Sequence, residues 1–292
     1  MPCLFFLVNL VTLITSAFPP AEKNVKPDSF KTFEVIERRN IDYYQGGDRD
    51  PVKHKLDIYA PKGANNAPVF VFVHGGAWVQ GDKDFWGIYS AIGKFMASRG
   101  IVSAVISYRL SPRVKHPAHA EDVARAISWT HSNISKHGGD PNRIFLCGHS
   151  AGGHLVSLVT CDESYLKKES IDPRCILAVI SISGVYEIPK YILGSVFGTD
   201  GKVKEQASPI HHVRKGLPPF LIICADRELP MCDSKECQRF QKALKDQGNR
   251  VSFEEITSSN HMKIIFDASK PDKSVSEKIL NFMGQILTEA SR

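Results

Sequence analysis

The sequence predicts an α/β fold: one doubly wound domain in which a mostly parallel sheet is flanked by helices. From Val69 onward short apolar runs alternate with longer segments of helical spacing, the signature of βαβ crossovers. Several of those runs are continuously apolar, as strands buried on both faces are. Gly and Pro fall between segments, with Arg99-Gly100 closing one helix and His137-Gly138-Gly139-Asp140-Pro141 another.

The expected strands are Lys55–Tyr59, Val69–His74, Val102–Ser107, Ile144–Gly148, Ile176–Ser183, Phe220–Cys224 and Val251–Ile256. The expected helices are Ser90–Arg99, Ala118–His137, Ala151–Thr160, Asp233–Gln247 and Lys273–Thr288. One interval, residues 184–219, is longer than a crossover helix needs and mixes Pro, Gly and aromatics, which predicts a small cap over the strand ends. No repeat of solenoid or propeller length is present. The domain therefore runs over residues 30–292, after a linker at 18–29 that is polar and Pro-containing from Pro19 to Asp28.

Composition removes several classes. Of 292 residues, 42% are hydrophobic and 23% charged, with 21 Gly and 17 Pro, which excludes disordered, fibrous and coiled-coil chains. With 7 Cys the chain is no disulfide scaffold, although Cys161 with Cys175, or Cys232 with Cys237, could pair after export. The net charge of +6 is scattered, so no nucleic-acid arm and no polybasic membrane patch is expected. Residues 1–17 carry no charged side chain, and Leu4 to Ile14 is an apolar stretch but for Asn9 and Thr12. That stretch is shorter than the roughly 20 residues of a membrane span. It reads as a secretory signal with small residues Thr15 and Ala17 before the cleavage point, an uncleaved anchor being the alternative. A secreted or lumenal protein is the expectation, and only then does the sequon Asn133-Ile134-Ser135 have meaning.

The chemistry centres on Gly148-His149-Ser150-Ala151-Gly152-Gly153, a G-x-S-x-G motif directly after a strand and directly before a helix. Small residues two before and two after the serine permit the strained turn that lifts its hydroxyl above the sheet edge. Upstream, a buried strand runs into His74-Gly75-Gly76-Ala77-Trp78, a Gly-rich loop able to present backbone amides to an oxyanion. Gly76 and Ala77 are the expected donors, Gly75 shapes the loop, and Ala151 supplies the amide after the nucleophile. Such an elbow takes its acid and then its histidine from further down the chain. After Phe220-Leu-Ile-Ile-Cys224-Ala225-Asp226 the one remaining histidine is His261. The assignment is Ser150 as nucleophile, His261 as base then acid, and Asp226 as the supporting carboxylate, with Glu228 and Asp233 as rivals on the same loop. His149 and His154 read as packing or supporting residues, and His211-His212 as candidates for lining the entrance. Trp78 and Trp86 are the candidate substrate-pocket aromatics. No metal is expected, since no His/Cys/Asp cluster has ligand spacing, and no cofactor, since no GxGxxG or Walker loop follows a strand.

Together the segments His74–Trp78, Tyr108-Arg109-Leu110-Ser111-Pro112, Gly139-Asp140-Pro141-Asn142-Arg143-Ile144 and Gly148–Gly153 resemble the carboxylesterase and hormone-sensitive-lipase-like branch of the α/β-hydrolase superfamily. The resemblance covers nearly the whole chain after its N-terminal segment. It implies an eight-stranded hydrolase sheet and cofactor-free acyl transfer through an acyl-enzyme. The HGGxW form also resembles kynurenine formamidase and prenylcysteine methylesterase, so an aryl formamide or a prenylcysteine methyl ester stands beside small and medium esters as substrate. A catalytically silent hydrolase fold used for binding is the reading from another class. Where lipases of the branch carry a third Gly, Ala77 keeps the amide but narrows the loop against bulky tertiary-alcohol esters.

Overall fold

A computed structural model describes residues 32–271 and 273–290. The secretory signal expected at residues 1–17 lies outside the described residues, and among these no helix is long and apolar enough to cross a membrane. Eight strands, β1 (Val35–Asp42), β2 (Lys55–Pro61), β3 (Ala67–Val73), β4 (Val102–Ile106), β5 (Gly139–His149), β6 (Ile176–Ile182), β7 (Phe220–Arg227) and β8 (Val251–Asn260), form one sheet in the order β1-β2-β4-β3-β5-β6-β7-β8. β1 and β2 are antiparallel to their neighbours, and β4, β3 and β5 to β8 run parallel.

Every strand expected from the sequence is present, and one more is added. β1, VIERRNID, exposes residues 37–40 and has no apolar alternation to betray it. Backbone pairing from Val35↔Pro61 to Asp42↔Lys55 holds it at the sheet edge, with a bulge between Arg38 and Ile41. Gly139, expected at a helix stop, instead opens β5, paired with Ala67. β7 runs three residues beyond its expected end at Cys224, which matters for the site below.

The long helices are α1 (Ile88–Ser98), α2 (Ala118–Asn133), α3 (Ala151–Cys161), α4 (Ser234–Asp246) and α5 (Ser274–Ala290). Alternation along β3 divides the core into two layers. Val69, Val71 and Val73 face α2, α3 and α4 through Val123, Ile127, Leu155 and Phe240. Phe70 and Phe72 face α1 and α5 through Ile92, Met96, Ile279 and Met283. Each such fully buried side chain contributes about 1.5–3 kcal/mol of transfer free energy. α3 is buried along its whole length, because it lies under the interval 184–219 as well as on the sheet. That interval contains the short helical turns Gly194–Phe197, Gly201–Gln206 and Pro209–His212. The six described cysteines, Cys147, Cys161, Cys175, Cys224, Cys232 and Cys237, are all buried free thiols, so neither bridge allowed by the sequence is formed.

Because β3 and β5 to β8 are parallel, the segments that leave their C-terminal ends converge on one edge. Loop 74–87 leaves β3, Ser150 follows β5, Glu228 follows β7 and His261 follows β8. In an open α/β sheet this is the edge where ligands bind.

Candidate active site

Ser150 joins β5 to α3 with φ 55° and ψ −119°, a left-handed conformation that non-glycine residues seldom adopt. The turn is possible only with glycines around it. A Cβ on Gly148 would lie 2.2 Å from the Gly152 carbonyl oxygen, and one on Gly152 would lie 2.0 Å from the Val73 carbonyl oxygen. The Ser150 amide donates to the Ile182 carbonyl at 2.8 Å, which anchors the strained residue to β6.

The Ser150 hydroxyl lies 3.0 Å from His261 Nε2, and His261 Nδ1 lies 2.6 Å from a carboxylate oxygen of Glu228. The carboxylate that meets His261 therefore lies two residues beyond Asp226, the one expected. Asp226 is still inside β7, and its carboxylate accepts the amides of Ser258 at 2.8 Å and Ser259 at 2.9 Å. Those two amides, Ser259 first, hold the Asp226 carboxyl below its usual range. Asp226 thus ties the end of β7 to the end of β8, the strand that delivers His261, while the chain beyond β7 brings Glu228 back to the imidazole. The Glu228 side chain is 1% exposed, and that of His261 8%. Its other oxygen accepts the Ala225 amide at 3.0 Å and the Ser183 hydroxyl. Asp233, the other rival acid, caps α4 by accepting the amides of Lys235 and Glu236. The sequence could not separate these carboxylates because the choice depends on where β7 stops.

The Gly-rich loop follows β3 with φ +118° at Gly76, 51° at Ala77 and 61° at Trp78. A Cβ on Gly76 would meet the Gln80 carbonyl oxygen at 2.1 Å, so glycine is required there. The Gly76 carbonyl accepts the amides of Val79 and Gln80, closing the loop. The amide of Gly75 is engaged by the Tyr89 hydroxyl at 3.2 Å, so Gly75 shapes the loop and does not offer a free donor. Ala151 is the first residue of α3, and its amide precedes the first intrahelical bond, that from His154 to Ser150. His74, stacked on Tyr108 at 4.3 Å, is buried beneath the loop, and burial lowers its pKa to about 4.

Trp78 does not line an open pocket. It is 2% exposed, and its indole Nε1–H donates to His154 Nδ1 at 3.1 Å. His154 in turn donates from Nε2 to the Ala207 carbonyl at 2.7 Å. Phe197 stands edge-on to the Trp78 ring at 5.0 Å. Trp78 and His154 therefore lock the Gly-rich loop, α3 and the 184–219 interval together. Trp86 is 63% exposed and stacks on Phe85. His212 donates to the Gln206 carbonyl at 2.8 Å, and His211 lies 3.8 Å from Glu187.

His149 acquires a role that its place in the motif does not reveal. Its Nε2–H donates to the His261 backbone carbonyl at 3.0 Å, and the two rings lie 4.8 Å apart. Burial, and then the nearby His261, drives its pKa well below the ordinary value, so the ring is neutral. The described residues contain no group of three or more His, Cys, Asp or Glu able to hold a metal ion.

The model of the BD-FAE family matches residues 56–243, which span the Gly-rich loop, the elbow and Glu228. The chain belongs to the BD-FAE family. Its fold is that of an α/β-hydrolase. Among curated relatives, the esterase LipQ of Mycobacterium tuberculosis is 30% identical over 85% of this chain. The isoprenylcysteine alpha-carbonyl methylesterase ICME of Arabidopsis thaliana is 39% identical over 53% of it. Both relatives are longer, and the chain spans 66% of the first and 36% of the second. A propionate-bound esterase, Est2 of Thermogutta terrifontis, superposes with a TM-score of 0.68 at 25% identity, covering 90% of this chain and 96% of that one. A phosphonate-inhibited esterase B from Lactobacillus rhamnosis has a TM-score of 0.75 at 22% identity, over 90% and 89%, which is a likeness of fold.

Proposed function

We propose that this BD-FAE member hydrolyses carboxylic esters of small to medium size through an acyl-enzyme, with Ser150 as nucleophile, His261 as base and then acid, and Glu228 as supporting carboxylate. The observation that carries the reading is the unbroken line from Ser150 Oγ through the His261 ring to Glu228, at 3.0 and 2.6 Å. A serine hydroxyl is a poor nucleophile until a base takes its proton. His261 Nε2 receives that proton as Oγ attacks the ester carbonyl, and Glu228 holds the tautomer and stabilises the imidazolium. The amides of Gly76, Ala77 and Ala151 receive the oxyanion. His261 then gives the proton to the leaving alcohol, and the same steps with water release the acid. Trp86, exposed on the loop leaving β3, is available to the bound ester.

The test is turnover of p-nitrophenyl acetate and butyrate, with Ser150→Ala expected to lower kcat by about 10⁴-fold or more. A rate untouched by that substitution, or no labelling of Ser150 by a fluorophosphonate probe, would favour a silent binding fold. The local identity to ICME favours a second reading, an isoprenylcysteine methyl ester as substrate. Comparing such an ester, N-formylkynurenine and p-nitrophenyl butyrate by kcat/KM ranks the three classes. We also propose that residues 1–17 direct export, which N-terminal sequencing of secreted protein tests; a chain still beginning at Met1 contradicts cleavage.

A further inference from the structure

Behind the Gly-rich loop lies a cavity of about 380 Å³ that includes none of Ser150, His261 or Glu228. Its size falls in the usual range for small-molecule sites. Its lining includes the apolar side chains of Val79, Leu110 and Val114 and the cations Lys53 and Arg113. The charges facing it are unequally available. Arg109, also in the wall, is already held by Asp122 at 2.8 Å and by Asp48 at 2.9 Å. Asp50, the acid in the wall, has one oxygen occupied by the amides of Val52 and Lys53. Lys53 Nζ donates to the Gly81 carbonyl at 2.7 Å, which uses one of its three protons. Arg113 is exposed and forms no ion pair with a carboxylate among the described residues. The charge of Asp50 acts on both Lys53 and Arg113, but with Arg109 already held the lining keeps two cations with spare donors against one acid, beside aliphatic side chains.

We propose that this cavity binds a medium-chain carboxylate, with the charged end on Lys53 and Arg113 and the chain against Val79, Leu110 and Val114. The site touches the catalytic loop at two points. The Val79 amide donates to the Gly76 carbonyl at 3.0 Å, and the Ser111 amide donates to the Trp78 carbonyl at 2.9 Å. A ligand seated there therefore bears on the segment carrying the Gly76 and Ala77 amides, and occupancy alters turnover at Ser150. The carboxylate has two sources: a free acid of the kind ester hydrolysis releases, or a second carboxyl on the ester substrate itself.

The experiment is calorimetric titration of hexanoate into the Ser150→Ala chain, so that binding is read without turnover and stands or falls apart from the catalytic assignment. Hexanoate is expected to bind, with acetate and hexan-1-ol markedly weaker because each lacks half of the recognition. Adding Arg113→Ala or Lys53→Met should weaken hexanoate about tenfold, the usual size for one charge-assisted hydrogen bond. Arg113 is exposed, so its replacement leaves folding intact. Absence of hexanoate binding, or binding unchanged in both variants, overturns the proposal. Kinetics of the native chain then separate the sources. Noncompetitive inhibition by hexanoate that Arg113→Ala relieves identifies the free acid. A KM raised by Arg113→Ala for a p-nitrophenyl hemiester of a dicarboxylic acid, but not for p-nitrophenyl butyrate, identifies the substrate's own carboxyl. Competitive inhibition indifferent to Arg113→Ala places the ligand at Ser150 and also overturns the proposal.

Discussion

Asp226 and Glu228 are two residues apart and have unrelated surroundings: one accepts two backbone amides, the other accepts the imidazole of His261. Glu228→Gln is expected to lower kcat on p-nitrophenyl butyrate by about 10³–10⁴-fold, because an amide can favour the wrong imidazole tautomer. Asp226→Asn should leave kcat within about tenfold and lower the melting temperature, since the end of β8 before His261 loses a charge-assisted acceptor for two of its amides. Opposite results would return the acid's role to Asp226. His149 shows the same dependence on surroundings. Its position in the elbow motif is open to many residues, and only the folded chain brings its ring against the His261 carbonyl.

At the scale of elements, the loop after β3 is held by its neighbours rather than by its own hydrogen bonds alone. Its strained φ angles from Gly76 to Trp78 are fixed where Trp78 is buried against His154 of α3 and Phe197 of the 184–219 interval. Trp78→Phe keeps most of the packing but leaves the buried His154 Nδ1 without its donor. A loss of about 1–3 kcal/mol in urea unfolding is expected from that unsatisfied nitrogen. An unchanged midpoint would show that the bond is dispensable. The motif identified this loop because glycines recur where backbone must approach closely. It could not show that Trp78 faces inward, because burial of an aromatic depends on what the later 184–219 interval lays over it.

Over the whole molecule, the buried histidines set the response to acid. Burial lowers His74, His116 and His119 to about 4 and His154 to about 3, and drives His149 well down. These groups take up protons more readily unfolded than folded, so stability is full above the ordinary histidine value near 6.5 and falls as pH drops below it. Each contributes a slope of up to about 1.4 kcal/mol per pH unit between that value and its own folded pKa. Burial opposes ionisation of Asp122, yet hydrogen bonds from His54 and Arg109 hold its carboxyl below the usual range, which adds a loss only at still lower pH. The urea midpoint is therefore expected to fall clearly from pH 7 to pH 5. A midpoint flat across that interval would contradict the neutral, buried state of these rings.

The sequence by itself determined the fold class, the parallel core strands, the Ser150 elbow, the Gly-rich loop at Gly75–Ala77 and His261 as the histidine that meets Ser150. Each rests on local chemistry: apolar runs that must be buried, and glycines where any Cβ would strike backbone. Tertiary structure decided which carboxylate meets His261, whether Trp78 points inward, and where the polar edge strand β1 pairs. Those outcomes turn on where a strand ends and on what distant segments cover, and neither is encoded at the residues concerned.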